Sequence, residues 1–393
     1  MPETYCNAEE RWEQVRARYP DQEPLLNLNN AAVSPPPKVV EQATINALRF
    51  ISRNPDVKMW SALDTQLPAT KQALAELVDC DPAEIALNRN SSEGLSTAIF
   101  GIPLKPGDEV VACAWDYPSA LGGWQQRVAR EGVRLVQSRF HLLDDDDAVV
   151  AAYERALTPR TKVMQITHML HWTGRVLPVD RLCALARERG VTTLVDAAQT
   201  FAQMPVSFRS LDCDFFVTSL HKWLGAPVGN GMLVVRHDRI AATWPLLAPF
   251  DAAPGSIDKF DHWNLGTYNS GLQAGIAPAI EAHREVGAAA MHARLRELTR
   301  YWVALARDIP GLRLHTPVDD DRTGALSLFS VDGADMKEVE QELREQHRVH
   351  VKYRRVGTIE GLRVSPHVYT RKTELQRFVE ALGRVLTPRA GRG

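Results

Sequence analysis

The chain predicts an α/β fold: a large domain with a mixed, mostly parallel seven-stranded sheet sandwiched by helices, followed by a smaller α+β C-terminal domain. Three observations lead there. Apolar runs rich in β-formers recur at residues 84–87, 109–115, 134–140, 162–169, 192–197, 215–220 and 231–236, most of them separated by stretches long enough for a helix. Crossovers of that length join parallel strands and cover both faces of the sheet. The last two runs, by contrast, are joined only by HKWLGAPVGN, too short for a helical crossover, so they pair antiparallel and make the sheet mixed. Beyond about Gly255 the pattern changes to long helical segments with interspersed strands.

Each element has a local reason. The first strand is followed by Asn90-Ser91-Ser92-Glu93-Gly94, where serines open a helix running through Ala98 and Ile99, because a serine oxygen caps the first N–H groups of a helix. The second strand leads into WDYPSA, which carries Tyr117. After the third comes Asp144–Asp147, read as a solvated loop before a helix starting near Ala148 rather than as a metal site. The fifth strand ends in Asp196 and the sixth in Ser219-Leu220-His221-Lys222. Residues 245–259, with Pro245, Pro249, Pro254 and Gly255, mark the seam between domains. A helix over 271–305, the strand GALSLFSV, a helix over 336–346, the strand HVKYRRV and a last helix over 374–386 complete the chain. The expected organisation is an N-terminal segment, 1–30, packing with the small domain, a large domain over 31–260, and an interdomain helix with the small domain over 261–393.

Bulk properties narrow the function. A length of 393 residues suits two or three domains, and 46 basic against 48 acidic residues give a net charge of −2. That balance leaves no broad basic surface for nucleic acid or an anionic membrane, so a small-molecule substrate is the expectation. Five scattered cysteines, Cys6, Cys80, Cys113, Cys183 and Cys213, form no CxxC pair and point to neither a disulfide framework nor zinc. With no apolar leader and no long apolar run, the reading is a cytoplasmic protein.

The chemistry sits at strand ends. In open α/β sheets ligands bind beyond the carboxyl ends of the strands, where Asp196 and the Ser-x-His-Lys segment both fall. The Ser91-Ser92 helix start suits an anion such as phosphate, because unpaired N–H groups and the helix dipole coincide there.

These residues carry a resemblance. VDAAQTF at 195–201, followed after 222 − 196 = 26 residues by the lysine of TSLHKWLGAPVGNG, resembles the class V aminotransferase superfamily of pyridoxal-phosphate enzymes, which includes cysteine desulfurases, kynureninase and isopenicillin N epimerase. The likeness runs from LNNAAVSPPP at Leu28 to RVSPHVYTRKTEL at Arg363. It implies the PLP-dependent transferase fold type I, pyridoxal 5′-phosphate as cofactor, and Lys222 as the residue that carries it as a Schiff base and acts as base at the substrate Cα. Asp196 would hold the pyridine nitrogen protonated, so that the ring can accept electrons. Gln199 would meet the phenolic oxygen. Ser91, Ser92, Ser219 and His221 would bind the phosphate, and Tyr117 would stack on the ring. His171 stands where desulfurases place an asparagine, three residues before Gly174. Arg363 would grip the substrate α-carboxylate, a guanidinium fork matching a carboxylate bidentately, with Asn30 lining the same pocket. Gly266-Thr267 resembles a pair that completes the phosphate site from the neighbouring subunit, which implies a homodimer with shared active sites.

The reaction is less fixed, since one scaffold hosts many chemistries. Desulfurases of this kind carry a nucleophilic cysteine shortly before the carboxylate arginine, but no cysteine follows Cys213. NNAAVSP, HWTGRVLPVD and SLHKWLGAPVGNG resemble the isopenicillin N epimerase-like branch, and imply an amino-acid-modifying enzyme of secondary metabolism such as antibiotic biosynthesis. A C–S (β-elimination) lyase, an aminotransferase and a decarboxylating deaminase stay open on the same residues. A non-catalytic sensor is opposed by the complete set Asp196, His221, Lys222 and Arg363. An epimerase needs a second acid/base facing Lys222 across the substrate, for which Tyr117, His171 and Tyr353 are the candidates.

Overall fold

A computed structural model describes residues 8–21, 24–60, 64–318 and 322–387; Cys6 lies outside them. Seven strands form one sheet: β2 (Ile85–Asn88), β3 (Glu109–Cys113), β4 (Arg134–Ser138), β5 (Thr161–Thr167), β6 (Thr192–Asp196), β7 (Phe215–Ser219) and β8 (Gly231–Val235). Their order is β2-β8-β7-β6-β5-β3-β4. β8 runs antiparallel to both β7 and β2, and the remaining pairs are parallel. Side chains alternate between the faces of a strand, and both faces are covered. Val111, Ile166, Val195 and Phe216 enter one apolar core, whereas Val110, Val163, Leu194 and Phe215 enter another. That double burial is why these strands read as continuous apolar runs.

The helices named below are α1 (Ala8–Arg16), α2 (Lys38–Ile51), α3 (Leu67–Val78), α4 (Ser91–Gly101), α5 (Pro118–Glu131), α6 (Asp146–Ala156), α7 (Val179–Glu188), α8 (Ile276–Val286), α9 (Ala288–Ala306), α10 (Met336–His347) and α11 (Lys372–Leu386). Asp145, within the four-acid run, caps α6 by accepting the Ala148 N–H at 2.8 Å, so the run serves a helix start. The helix expected over 271–305 is interrupted. Gly287 takes φ +83 between α8 and α9, a conformation that ends a helix and that residues with a Cβ rarely adopt. α8 packs on α2 and α3, while α9 packs on α11. Residues 245–259, where the sequence suggested a seam, are anchored against the large sheet instead. Lys259 Nζ donates to the Ile240 and Pro254 carbonyls at 2.6 Å each, and Ile257 and Phe260 enter the core beneath.

The smaller sheet is antiparallel, in the order β12 (Lys352–Val356), β13 (Ile359–Val364), β10 (Ser327–Val331), β9 (Leu312–Leu314). Its apolar side packs Phe329, Leu362 and Val364 against Trp302, Leu343 and Phe378 of α9, α10 and α11. The N-terminal segment belongs to this neighbourhood. β1 (Leu26–Asn27) pairs with β11 (Val349–His350), and α1 is tied on by Arg16–Glu374 at 3.1 Å and Lys372–Glu9 at 2.9 Å. Among the described residues no helix is long and apolar enough to cross a membrane.

Candidate active site

A cavity of about 280 Å³ opens at the carboxyl ends of β5, β6 and β7 and is closed from the other side by β12, β13 and the segment after β1. A larger cleft of about 700 Å³ lies between residues 308–342 and 383–387, but its ionisable groups are all carboxylates and it has no nucleophile beyond one threonine. The smaller cavity holds the convergent chemistry.

Asp196 is the last residue of β6, paired in register with Thr167 on β5 and Val217 on β7. Its position follows from the apolar strand that delivers it to the sheet edge. The carboxylate is buried and accepts one N–H, from Ala198 at 3.0 Å. Burial pushes its pKa up, with the Ala198 N–H and the Lys222 ammonium pulling it back. Lys222 lies just past β7, on the neighbouring strand, in a loop held by Leu220 N–H to the Asn230 carbonyl at 3.0 Å and by Asn230 Nδ2 to the Pro227 carbonyl at 2.9 Å. Burial brings its pKa down to about 8, Asp196 working against that and Arg363 adding to it.

Opposite this pair, α4 presents its N-terminus. The Ser91 N–H donates to Ser219 Oγ at 2.9 Å, and Ser219 Oγ donates to Ser91 Oγ at 3.0 Å, so the ends of β7 and α4 form one hydroxyl cluster, with Ser92 beside it on the cavity wall. His221 also lines the cavity; its Nδ1 meets the Asn230 carbonyl at 2.9 Å, which requires Nδ1 to carry the hydrogen and leaves Nε2 with a lone pair in the neutral ring. Burial lowers its pKa. Gln199 is clamped between Trp223, whose Nε1 donates to Oε1 at 2.9 Å, and the Ala31 carbonyl, which takes one Nε2 hydrogen at 3.0 Å. Its second amide hydrogen remains for a ligand.

Tyr117 and His171 line the far wall, ring centroids 5.0 Å apart and edge to face. His171 Nδ1 is buried without a partner. Burial first, then Arg363, Lys222 and Arg354, hold its pKa well below the usual histidine value, so the ring is neutral. Arg363, on β13, donates Nη1 to the His171 carbonyl and Nη2 to Asn29 Oδ1, both at 2.8 Å, and its Nε is buried without a partner. Burial brings it down to about 9, with Arg354 adding to the effect.

Three expected residues are placed elsewhere. Asn30 is fully buried but off the cavity wall: Nδ2 donates to the Asn27 and Ser365 carbonyls at 3.1 and 3.0 Å, and Oδ1 accepts the Tyr369 hydroxyl. Its neighbours stand closer to the cavity: Asn29 Oδ1 accepts from Arg363 Nη2, and Ala31 and Ala32 line the pocket. Thr267 is exposed on a loop and does not line the cavity of its own chain. Tyr353 does not line the cavity either, because it alternates with Arg354 along β12 and so projects to the other face. His168 is a satisfied core residue, its Nδ1 3.0 Å from Thr200 Oγ1.

The sequence did not single out Arg354, Thr167 or Asp116. Arg354 lines the cavity from β12, and only the pairing of β12 with β13 reveals that. Thr167 Oγ1 donates to Asp116 at 2.5 Å, and Gln165 Nε2 does so at 2.9 Å. Burial drives the Asp116 carboxyl up to about 7. The dipeptide Asp116-Tyr117 was a signal, since its second member was already selected.

The fold and this set define a class: an α/β enzyme with a lysine amine beside a buried carboxylate, a phosphate-sized hydroxyl cluster at a helix N-terminus, and an arginine for an organic acid. The chain belongs to the class V aminotransferase family, whose model matches residues 26–378. It is 27% identical to isopenicillin N epimerase of Streptomyces clavuligerus over 94% of this chain and 97% of that protein. It is 29% identical to a probable cysteine desulfurase of Synechocystis sp. over 91% and 90%. The fold resembles that of the cysteine desulfurase CsdA from Escherichia coli, with TM-score 0.82 and 22% identity over 95% of this chain and 98% of that one. It likewise resembles the cystine C-S lyase C-DES crystallised with cysteine persulfide, at TM-score 0.82 and 22% identity over 91% and 97%.

Class V aminotransferases are pyridoxal-phosphate enzymes, and the residues present fit that cofactor. Among the described residues the buried Asp196 carboxylate makes no ion pair, and a protonated ring nitrogen would supply one. The hydroxyls of Ser91, Ser92 and Ser219 at the α4 N-terminus suit a phosphate, and the half-free amide of Gln199 suits a phenolic oxygen.

Proposed function

We propose that the protein removes and returns the Cα proton of an amino acid, as an epimerase of the isopenicillin N epimerase-like kind. The observation that carries this reading is the Lys222 amine, which stands in the cavity with a pKa of about 8, within the influence of both Asp196 and Arg363. A lysine in that state is partly neutral at physiological pH and able to act as a base. When bound, pyridoxal phosphate supplies an electron sink for the charge left at Cα.

The chain's own residues have divided tasks in this proposal. Asp196 would hold the ring nitrogen, Gln199 the phenolic oxygen, Tyr117 the ring, and Ser91, Ser92, Ser219 and His221 the phosphate. Arg363, oriented by Asn29 and the His171 carbonyl, holds the α-carboxylate and so fixes which Cα bond faces Lys222. The wall of Tyr117 and His171 handles the proton on the opposite face; a neutral imidazole can both give and take one. Thr267 enters from a second copy in a cytoplasmic homodimer.

Desulfuration through an enzyme persulfide is disfavoured because no cysteine lines the cavity among the described residues, and Cys113, Cys183 and Cys213 are buried in the core. The test is incubation of the holoenzyme with amino acids in D2O. Deuterium at Cα, with inversion and no other mass change, is expected. Release of an oxo acid, ammonia or a thiol without exchange into recovered substrate would overturn the epimerase reading in favour of transamination or elimination.

A further inference from the structure

We propose that the substrate carries a second carboxylate in its side chain, held by Arg354 while Arg363 holds the α-carboxylate; the inference rests on the amino-acid reading above. The sheet register creates the pair. Lys352 stands opposite Arg363 and Arg354 opposite Gly361 across β12 and β13. Residues two apart on a strand share a face, so the two arginines are diagonal neighbours on the face that meets the cavity.

Among the described residues neither guanidinium has a carboxylate partner within ion-pair distance. Arg363 contacts only a carbonyl and an amide oxygen, and its Nε is left over. Arg354 Nε is likewise buried without a partner. The carboxylate whose charge acts on Arg354, Glu340, is engaged by Lys352 at 3.6 Å. Two like charges that repel each other in a desolvated cavity are costly unless a ligand brings anions to them. One α-carboxylate fills one guanidinium fork, so the second fork calls for a second acid.

The cofactor phosphate does not meet that need. Arg363 Nη1 donates to the His171 carbonyl at 2.8 Å with Arg354 beside it across β12 and β13, whereas Ser91 and Ser219 meet where β7 ends and α4 begins. The arginines therefore occupy the His171 end of the cavity and the phosphate donors the other.

The experiment titrates the holoenzyme with matched pairs, aspartate against asparagine and glutamate against glutamine in both configurations, and with the glutamate homologue one methylene longer. The shift in cofactor absorbance gives Kd, and Cα deuteration gives kcat/KM. Tighter binding of the acid by about tenfold or more within at least one pair is expected. In Arg354→Gln that ratio should collapse towards one, with Arg354→Lys intermediate and the cofactor band intact in both variants as the check on folding. Equal affinity for acid and amide in every pair, or a loss in Arg354→Gln that leaves the ratio unchanged, would overturn the proposal. Deuteration of neutral amino acids with no acid preference would remove this inference alone, whereas no exchange with any amino acid would remove the reading beneath it.

Discussion

Lys222 is the residue on which most turns, and its environment makes a pH prediction with a definite sign. With a pKa of about 8, about a tenth of the amine is neutral at pH 7, against fewer than about one in a thousand for an ordinary lysine. The rate at which apoprotein joins the cofactor should rise about tenfold per pH unit and level off near pH 8; a rise continuing past pH 10 would show that the amine is not desolvated. Because the Asp196 charge helps keep the proton on Lys222, Asp196→Asn should move the plateau to lower pH. Linkage gives the stability counterpart. The folded apoprotein releases this proton before the unfolded chain does, so it gains stability as pH rises from about 8 towards the unfolded value. Lys222→Met should raise the Tm of the apoprotein at pH 7, and Lys222→Ala should abolish both turnover and the cofactor band. His221 supplies a separate test. Its Nδ1–H is committed to the Asn230 carbonyl, so its Nε2 can donate to phosphate only after taking up a proton. Calorimetry in buffers of different ionisation enthalpy should find cofactor binding coupled to about one more proton in the wild type than in His221→Gln. At this scale the strand-end pattern sufficed to bring Asp196 and Lys222 to one cavity, with Gln199 three residues beyond β6, while their roles towards a cofactor belong to the proposal. Asn30 was misjudged by one position, since a turn of consecutive asparagines does not reveal which amide faces the arginine.

At the scale of elements, the site is assembled by turns whose geometry tolerates little. A Cβ on Gly231, the first residue of β8, would lie 2.3 Å from Asn88 Oδ1 and 2.6 Å from the Asn90 Cα. The second of these is backbone, which cannot swing away. Gly231→Ala should therefore displace the β2–α4 turn that carries Ser91 and Ser92, lowering Tm and weakening cofactor affinity together. Titration of the apoprotein with pyridoxal phosphate measures the second effect, and an unchanged Kd would detach the turn from phosphate binding. The parallel strands were readable because burial on both faces writes continuous apolar runs. The break at Gly287 was not, because helical periodicity continues on either side of it. The proline-rich stretch before it packs on the large sheet, because prolines mark where regular structure stops, not where packing does. We propose drawing the domain division at Gly287, where the helical contacts pass from α2 and α3 to α11. The two arginines of β12 and β13 were hidden in the same way, since their adjacency exists only once the strands are paired in register.

For the whole molecule, the question is whether one chain holds a complete site. Thr267 is exposed and away from its own cavity, and Phe250, whose N–H donates to the Asn264 carbonyl of the same loop at 2.8 Å, is 93% exposed. Large exposed aromatic side chains mark association surfaces, and in a closed two-fold dimer the same patch serves both copies. If the second copy lends its 264–269 loop to the phosphate end of the first, each site combines Lys222 of one chain with Thr267 of the other. Two inactive variants then test the arrangement: Lys222→Ala, which lacks the amine, and Thr267→Asp, which sets a negative charge against the phosphate. A mixed dimer contains one site carrying both lesions and one carrying neither, so unfolding and refolding the two variants together should restore activity that neither shows alone. Analytical ultracentrifugation should find dimers in each sample. Recovery of nothing from well-formed mixed dimers would mean that each site carries one of the two lesions, and Thr267 would then have to reach the cavity of its own chain.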